Sequence, residues 1–462
     1  MKILLVVYDN DSYIHWFPMG LAYVASVMRK NGHEVTIYNQ DKFHYPDEHL
    51  MHYLDDNRFD VVGVSVIGGY YQYKKLMKIS EAINKSKNRP FYIIGGHGPA
   101  PEPAYFMNKT KADAIVIGEG EVSTINLLNE LMGNKNFSKV KGIAYNDNGK
   151  CIVNERQELI KNIDEIDFPA WDLFPMDYYT LIRSVHLSNR DRVFPMLSAR
   201  GCPFKCNFCY RMDTGVRIRS AESIIEEIKI LKKQYGVTYV IFADELLMIS
   251  PKRTIELCEA FIKANINIKW TCNGRLNYAE PEVLNIMKKA GCVYIGYGIE
   301  CMDNDILKVM NKNLTVEQVT KGIEATLAAG ISPGYNIIFG NIGEDEQTLE
   351  KGVQFLLKYD DHSEMRTIRP VTPYPGSPLY YYAIEKGLLE GPEDFYERKH
   401  VNSDLITVNF TKLSNEKFYE VLFNANRRLL ENYYKYQMEA AIENARKLYV
   451  EKNVNFRGFR QS

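Results

Sequence analysis

At 462 residues the chain is long enough for two or three domains, and its 45% hydrophobic and 25% charged content is globular rather than disordered. A formal net charge of −1 supplies no overall basic field, so nucleic acid is not an expected partner. No apolar run reaches the 18 residues that a membrane span needs, and "MKILLVVYDND" meets Asp9 too soon for a signal peptide.

The first 145 residues read as alternating strands and helices. "KILLVVYD" (2–9) is a continuous apolar run, as in a strand buried on both faces. "MGLAYVASVMRKNGHEV" follows with helical periodicity that ends at Gly32. "VTIYNQD", "FDVVGVSVIG", "PFYIIGGHGPA" and "ADAIVIGEGE" are further strands, most of them closing in glycine or an acidic residue. This order predicts a doubly wound parallel sheet, which binds ligands at its carboxyl edge, where glycine lets a ligand reach the backbone. No G-x-G-x-x-G follows the first strand, so a dinucleotide is not the expected ligand.

Residues 146–190 form a linker, with "NIDEIDFPAWDLFPMDYY" (162–179) rich in Pro, Asp and aromatics. From 191 to 385 a second alternation begins. Strands are expected near 193–198, 237–243, 267–272, 292–299, 332–339 and 365–371, with helices near 220–235, 252–264, 281–290, 315–329 and 346–358. Six β/α units make a partial barrel, whose chemistry belongs at the carboxyl ends of its strands. Those ends carry Asp244 and Glu245, then Asn273 and Arg275, then Glu300, then the glycine-rich turn of "NIIFGNIGEDEQT". From about 386 to 462 the chain reads as amphipathic helix, expected to cap the barrel mouth and shape a substrate pocket.

The most specific signal is "SARGCPFKCNFCY" (198–210). Cys202, Cys206 and Cys209 are spaced C-x3-C-x2-C, with Phe208 before the last. A structural zinc site or a fully ligated 4Fe-4S cluster takes four protein ligands. Three leave an iron open, and the other cysteines, Cys151, Cys258, Cys272, Cys292 and Cys301, have no knuckle spacing. The three cysteines are therefore the metal candidates, and free thiols elsewhere suit a reduced cytoplasm. The 32 tyrosines are scattered and suggest nothing by themselves.

This loop resembles the signature of the radical S-adenosylmethionine (SAM) enzymes. The resemblance implies a 4Fe-4S cluster whose open iron chelates SAM, which is cleaved by one electron to a 5′-deoxyadenosyl radical. It also implies a small-molecule substrate and an electron donor such as flavodoxin or ferredoxin. Arg275 resembles the family residue that pairs with the SAM carboxylate, and Asn273, Glu245 and Glu300 fall where relatives contact SAM. "TPYPGSPLY" (372–380) resembles a family segment that closes the barrel side. The N-terminal part resembles the cobalamin-binding domain fused to many such enzymes, on Pro18, Gly20 and Leu21, "GVS" at 63–65, "GGHGP" at 95–99 and "GEGE" at 118–121. That resemblance places the corrin on Gly68, Gly69, Gly95, Gly96, His97, Gly98, Gly118, Glu119 and Gly120. The D-x-H-x-x-G that supplies a cobalt ligand is absent, and "DEHLMH" (47–52) lacks its glycine.

The readings that follow are methylation of an unactivated carbon through methylcobalamin, or a cyclisation, rearrangement or oxidation on the same fold. A methylthiotransferase needs a second cluster on N-terminal cysteines, and no cysteine precedes Cys151. A cofactor-binding protein without catalysis is the remaining alternative, and an intact cluster loop beside SAM-contact residues argues against it.

Overall fold

The computed structural model describes residues 1–9, 11, 15–182 and 186–455. Five parallel strands build the first sheet: β1 (Lys2–Val7), β2 (Glu34–Asn39), β3 (Val61–Ser65), β4 (Phe91–Gly95) and β5 (Ala114–Val116). An antiparallel hairpin, β6 (Ile143–Asp147) and β7 (Lys150–Val153), extends it in the order β2-β1-β3-β4-β5-β6-β7. The apolar run of β1 divides by the two-residue strand period. Ile3, Leu5 and Val7 join one core, while Leu4 and Val6 join the core on the opposite face. The strand order reverses at β1, with Leu5 level with both Ile37 and Gly63, so the ligand crevice lies at the carboxyl ends of β1 and β3.

The second sheet is wholly parallel, in the order β15-β14-β13-β12-β11-β8. Its strands are β8 (Val193–Met196), β11 (Tyr239–Phe242), β12 (Lys269–Gly274), β13 (Cys292–Glu300), β14 (Ser332–Phe339) and β15 (Arg369–Pro370). Outer helices start where their sequence signals lie. Ser220 and Ser250 cap two of them, and Thr315 with Gln318 forms a capping box on a third. Two short strands, β9 (Ala199–Arg200) and β10 (Arg217–Ile218), pair antiparallel across the base of the cysteine loop. The core on one face of the first sheet runs on into the barrel through Phe17, which packs on Phe174 and Phe194.

Two expectations are corrected. The first domain does not end at 145, because that boundary falls inside the β6–β7 hairpin, whose pairing to β5 carries the sheet to Val153. The C-terminal part is not helical from 386. Residues 387–413 are mostly irregular, with a π-helical turn at Asp394–Lys399 that stacks Tyr396 on Tyr73 of the first domain (4.9 Å between centroids). The long helix is Asn415–Tyr449; it starts beside the carboxyl end of β14, where Phe418 stacks on Phe339, and runs down the open edge of the barrel. Asn426 donates to and accepts from the backbone of Ile368 (2.9 and 2.8 Å), just before β15, and Arg428 forks onto Glu350 of the helix Glu346–Tyr359. An edge strand with unpaired backbone needs such a cover. The final stretch of that expectation, 456–462, lies outside the described residues.

Candidate functional site

The cysteine loop is held at both ends by barrel groups. Buried Asp244, at the end of β11, accepts from the backbone N–H of Ser198 (2.7 Å) and Ala199 (3.1 Å) and from the Ser198 hydroxyl. Burial pushes its carboxyl up to about 6, partly offset by these donors. Glu245 accepts from Gly201 N–H at 2.8 Å. Gly201 has φ +85°, and the Gly215 carbonyl occupies the place of any Cβ, so only glycine fits this turn. Further along, Asn207 exchanges side-chain hydrogen bonds with Asn341 and binds the backbone of Met310 and Leu379. Asn341 belongs to the glycine-rich turn and Leu379 to the 372–380 segment, so both motifs hold the loop.

None of the three cysteines is in a disulfide. Cys206 is buried, and burial with the nearby thiols of Cys206 and Cys202 pushes Cys209 up to about 11. Among the described residues no three thiol, imidazole or carboxylate groups converge as they would on a single metal ion. Three neighbouring thiols on one loop are the ligand set for a 4Fe-4S cluster with one iron left open.

The strand-end residues surround this loop. The Arg275 guanidinium lies over the Phe204 ring at 3.4 Å, donates to the carbonyls of Lys312 and Asn313 (2.8 Å to the latter), and keeps its buried Nε without a partner. Glu300, at φ +69°, forms a buried ion pair with Lys312 at 2.8 Å. Asn273 donates to the Asp244 carbonyl at 2.9 Å. Lys312 was not anticipated: it sits in a turn with no motif, and only the fold brings it to Glu300. Cys301 has different surroundings, since its thiol lies near buried Glu344 and its neighbours are Ile306, Leu307 and Met310. Those surroundings make it a packing residue. Cys272 is likewise buried, in the main core.

Between the carboxyl edge of the first sheet and the cysteine loop lies a cavity of about 600 Å³. Gly95, Gly96, His97, Gly118, Glu119 and Gly120 line it from the sheet, and Cys202 and Glu245 line it from the barrel. Gly68, Gly69 and Gly98 do not. Gly68 packs under Tyr374 and Tyr396, Gly69 starts the helix Tyr70–Lys85, and Gly98 bonds back to the Val66 carbonyl. Burial lowers the His97 imidazole pKa, against the nearby carboxylates of Glu245 and Asp213, and the ring meets Tyr210 edge-on at 6.1 Å. Ile67 and Trp16 line the same cavity while more than half exposed. A glycine floor with large apolar side chains left bare suits a broad, flat, largely apolar ligand such as a corrin. The histidines of 47–52 are on the helix Asp47–Asp56, where His49 stacks on Tyr45 away from this cavity. A larger surface depression of about 740 Å³, lined by Met302, Val316 and the outer helix from Glu346, contains none of these groups.

Residues 6–128 match the B12 binding domain family, and residues 196–356 match the Radical SAM superfamily. An uncharacterized methyltransferase of Pyrococcus horikoshii is 31% identical over 400 residues, covering 84% of each chain. The anaerobic magnesium-protoporphyrin IX monomethyl ester cyclase of Rubrivivax gelatinosus is 28% identical over 79% of this chain and 66% of its own length. Among solved structures, the radical SAM methyltransferase TsrM from Kitasatospora setae, with cobalamin and a [4Fe-4S] cluster bound, superimposes with TM-score 0.68 at 17% identity, over 83% of this chain and 75% of that one. The chain belongs to the cobalamin-binding radical SAM enzymes. Its cofactors are a 4Fe-4S cluster, SAM and cobalamin. No described helix is long and apolar enough to cross a membrane.

Proposed function

We propose that the protein transfers a methyl group from SAM, by way of cobalamin, to an unactivated carbon of a small-molecule substrate. The observation that carries this reading is the single cavity, in which the glycine edge of the first sheet faces Cys202 and Glu245. When bound, the cluster supplies the electron that cleaves SAM, and cobalamin carries a methyl group that a carbon radical can accept. Cys202, Cys206 and Cys209 hold the cluster. In this reading Arg275, whose buried Nε has no partner, binds the SAM carboxylate, while Glu245, Asn273 and Glu300 offer acceptors for its amine and ribose. Gly95, Gly96, His97, Gly118 and Gly120 form the floor for the corrin. No histidine of the described residues lining the cavity other than His97 is available to cobalt, and its role in this reading is contact rather than ligation. The required electron comes from a flavodoxin- or ferredoxin-type donor in a reducing cytoplasm.

The similarity to a cyclase supports a second reading, ring formation without methyl transfer. SAM labelled in its methyl group separates the two. Label in the product of the reconstituted enzyme supports transfer, and unlabelled product with 5′-deoxyadenosine formation supports the alternative.

A further inference from the structure

Glu119 is bound on two sides by the barrel domain. Arg217 forks onto it, with Nη2 to Oε1 at 2.6 Å and Nη1 to Oε2 at 2.9 Å, and Arg200 reaches the same carboxylate at 3.1 Å. The other Nη of Arg200 bonds Glu121 at 2.6 Å, and its guanidinium lies 5.1 Å from the Tyr23 ring centre. All four charged side chains are at most 16% exposed. The two carboxylates come from the start of the helix Gly120–Met132 that follows β5, Glu119 at its N-cap and Glu121 in its first turn, and the two arginines sit opposite each other in the β9–β10 pair. Arg200 immediately precedes Gly201 and Cys202. The network thus joins the segment Gly118–Gly120, on the corrin side of the cavity, to the first residues of the cluster loop.

We propose that this network positions the two cofactors relative to each other, with Arg217 and Glu119 as its central pair. The proposal rests on the functional reading above. Burying ion pairs is a poor way to gain stability, because desolvation offsets the attraction. What a planar guanidinium on a carboxylate does supply is direction, since two parallel bonds fix both distance and angle. Glu119 has three guanidinium contacts and is held ionised. Burial works against that state, and Arg217 and Arg200 overcome it. Its oxygens are therefore committed to the barrel rather than to a ligand, although the residue lines the cavity. Gly120 leaves space that Val24 would close against a Cβ at 2.8 Å, which lets the loop approach the first helix so that Glu119 and Glu121 both face the arginines.

The test uses the full-length holoprotein and three variants: Arg217→Ala, Arg217→Lys and Glu119→Gln. Iron and corrin contents are measured first. Pulsed electron paramagnetic resonance then measures the dipolar coupling between cob(II)alamin and the reduced cluster. Wild type is expected to give one narrow distance distribution. Arg217→Ala and Glu119→Gln are expected to retain both cofactors while the distribution broadens or shifts, and Arg217→Lys, which keeps charge but loses the fork, is expected to recover it in part. An unchanged distribution in Glu119→Gln with both cofactors retained overturns the proposal, and so does loss of corrin from Glu119→Gln alone, which makes Glu119 a ligand contact. If Arg217→Ala does not fold, the other two variants carry the same comparison. A wild-type protein that binds the cluster but no corrin removes the functional reading, and this inference with it.

Discussion

Replacing Lys312 by methionine isolates the pair that holds Glu300. Lys312 Nζ lies 2.8 Å from Glu300 Oε1, and each side chain is only 9% exposed. Methionine keeps much of the apolar stem but removes the ammonium, leaving a buried carboxylate without a partner. Removing one partner of a buried pair costs about 3–5 kcal/mol. Adding Glu300→Gln to Lys312→Met removes the stranded charge, so the double variant should be more stable than Lys312→Met alone. The coupling energy from the cycle should then be about 2–3 kcal/mol. Urea unfolding is the assay, followed by Trp270 fluorescence in a background with Trp16 and Trp171 replaced by Phe. Trp270 is fully buried on β12 against Phe242 and so reports on the barrel. The single change lowers the urea midpoint by that cost divided by the urea slope, which grows with the surface exposed on unfolding. A cost below about 1 kcal/mol, the value of a solvated surface pair, would refute the reasoning and show that Glu300 needs no buried partner.

Alanine at Cys202, Cys206 or Cys209 is expected to abolish the iron–sulfur absorbance and SAM cleavage, and a triple variant that retains a full complement of cluster iron contradicts the assignment. Arg275→Lys keeps the charge but loses the fork and the stack on Phe204; SAM affinity should fall about ten- to a hundredfold, the worth of a charge-assisted bond, and equilibrium binding that matches wild type rejects the role. Burial pushes Glu344 up to about 7 from an ordinary 4.5, against the N–H bonds of Gly340 and Asn341 (2.8 Å each). A raised carboxyl makes the folded state bind the extra proton, so this group costs nothing below about pH 4.5. Its cost grows between there and pH 7 and is complete above, reaching about 3 kcal/mol at 1.36 kcal/mol per unit. Glu344→Gln should therefore gain stability over wild type as pH rises through that window, and parallel stability–pH curves for the two proteins would exclude the effect.

Much of this architecture can be read from local pattern. The five parallel strands of the first sheet and the six of the barrel are short apolar runs bounded by glycine or acidic residues, a signal that depends only on neighbours in sequence. The hairpin Ile143–Val153 escaped because "IAYNDNGKCIV" is half polar, as an exposed edge hairpin is, and resembles a linker. The helix expected from 386 starts instead at Asn415: residues 387–413 hold Gly387, Gly391 and Pro392, which interrupt a helix, and pack through Tyr396 on Tyr73 and Tyr105. At the site, the cysteines announce themselves by spacing and Arg275 by its place at a strand end. Lys312, Arg200 and Arg217 carry no such mark, since their partners lie 12, 79 and 98 residues away along the chain. Gly68, Gly69 and Gly98 look like floor glycines in sequence, yet they serve the turns that lead into the next helices.

Methyl transfer through cobalamin requires that the cavity take a corrin beside the cluster. The direct measurement is anaerobic purification with cobalamin supplied, followed by iron, sulfide and corrin analysis and by absorption spectra of the bound cofactor. Stoichiometric corrin together with a 4Fe-4S cluster, in a protein that cleaves SAM on reduction, is the predicted result. A protein that assembles the cluster and cleaves SAM but never retains cobalamin would contradict the account, because the glycine-floored cavity would then serve some other ligand and methyl transfer through cobalamin would be lost as its function.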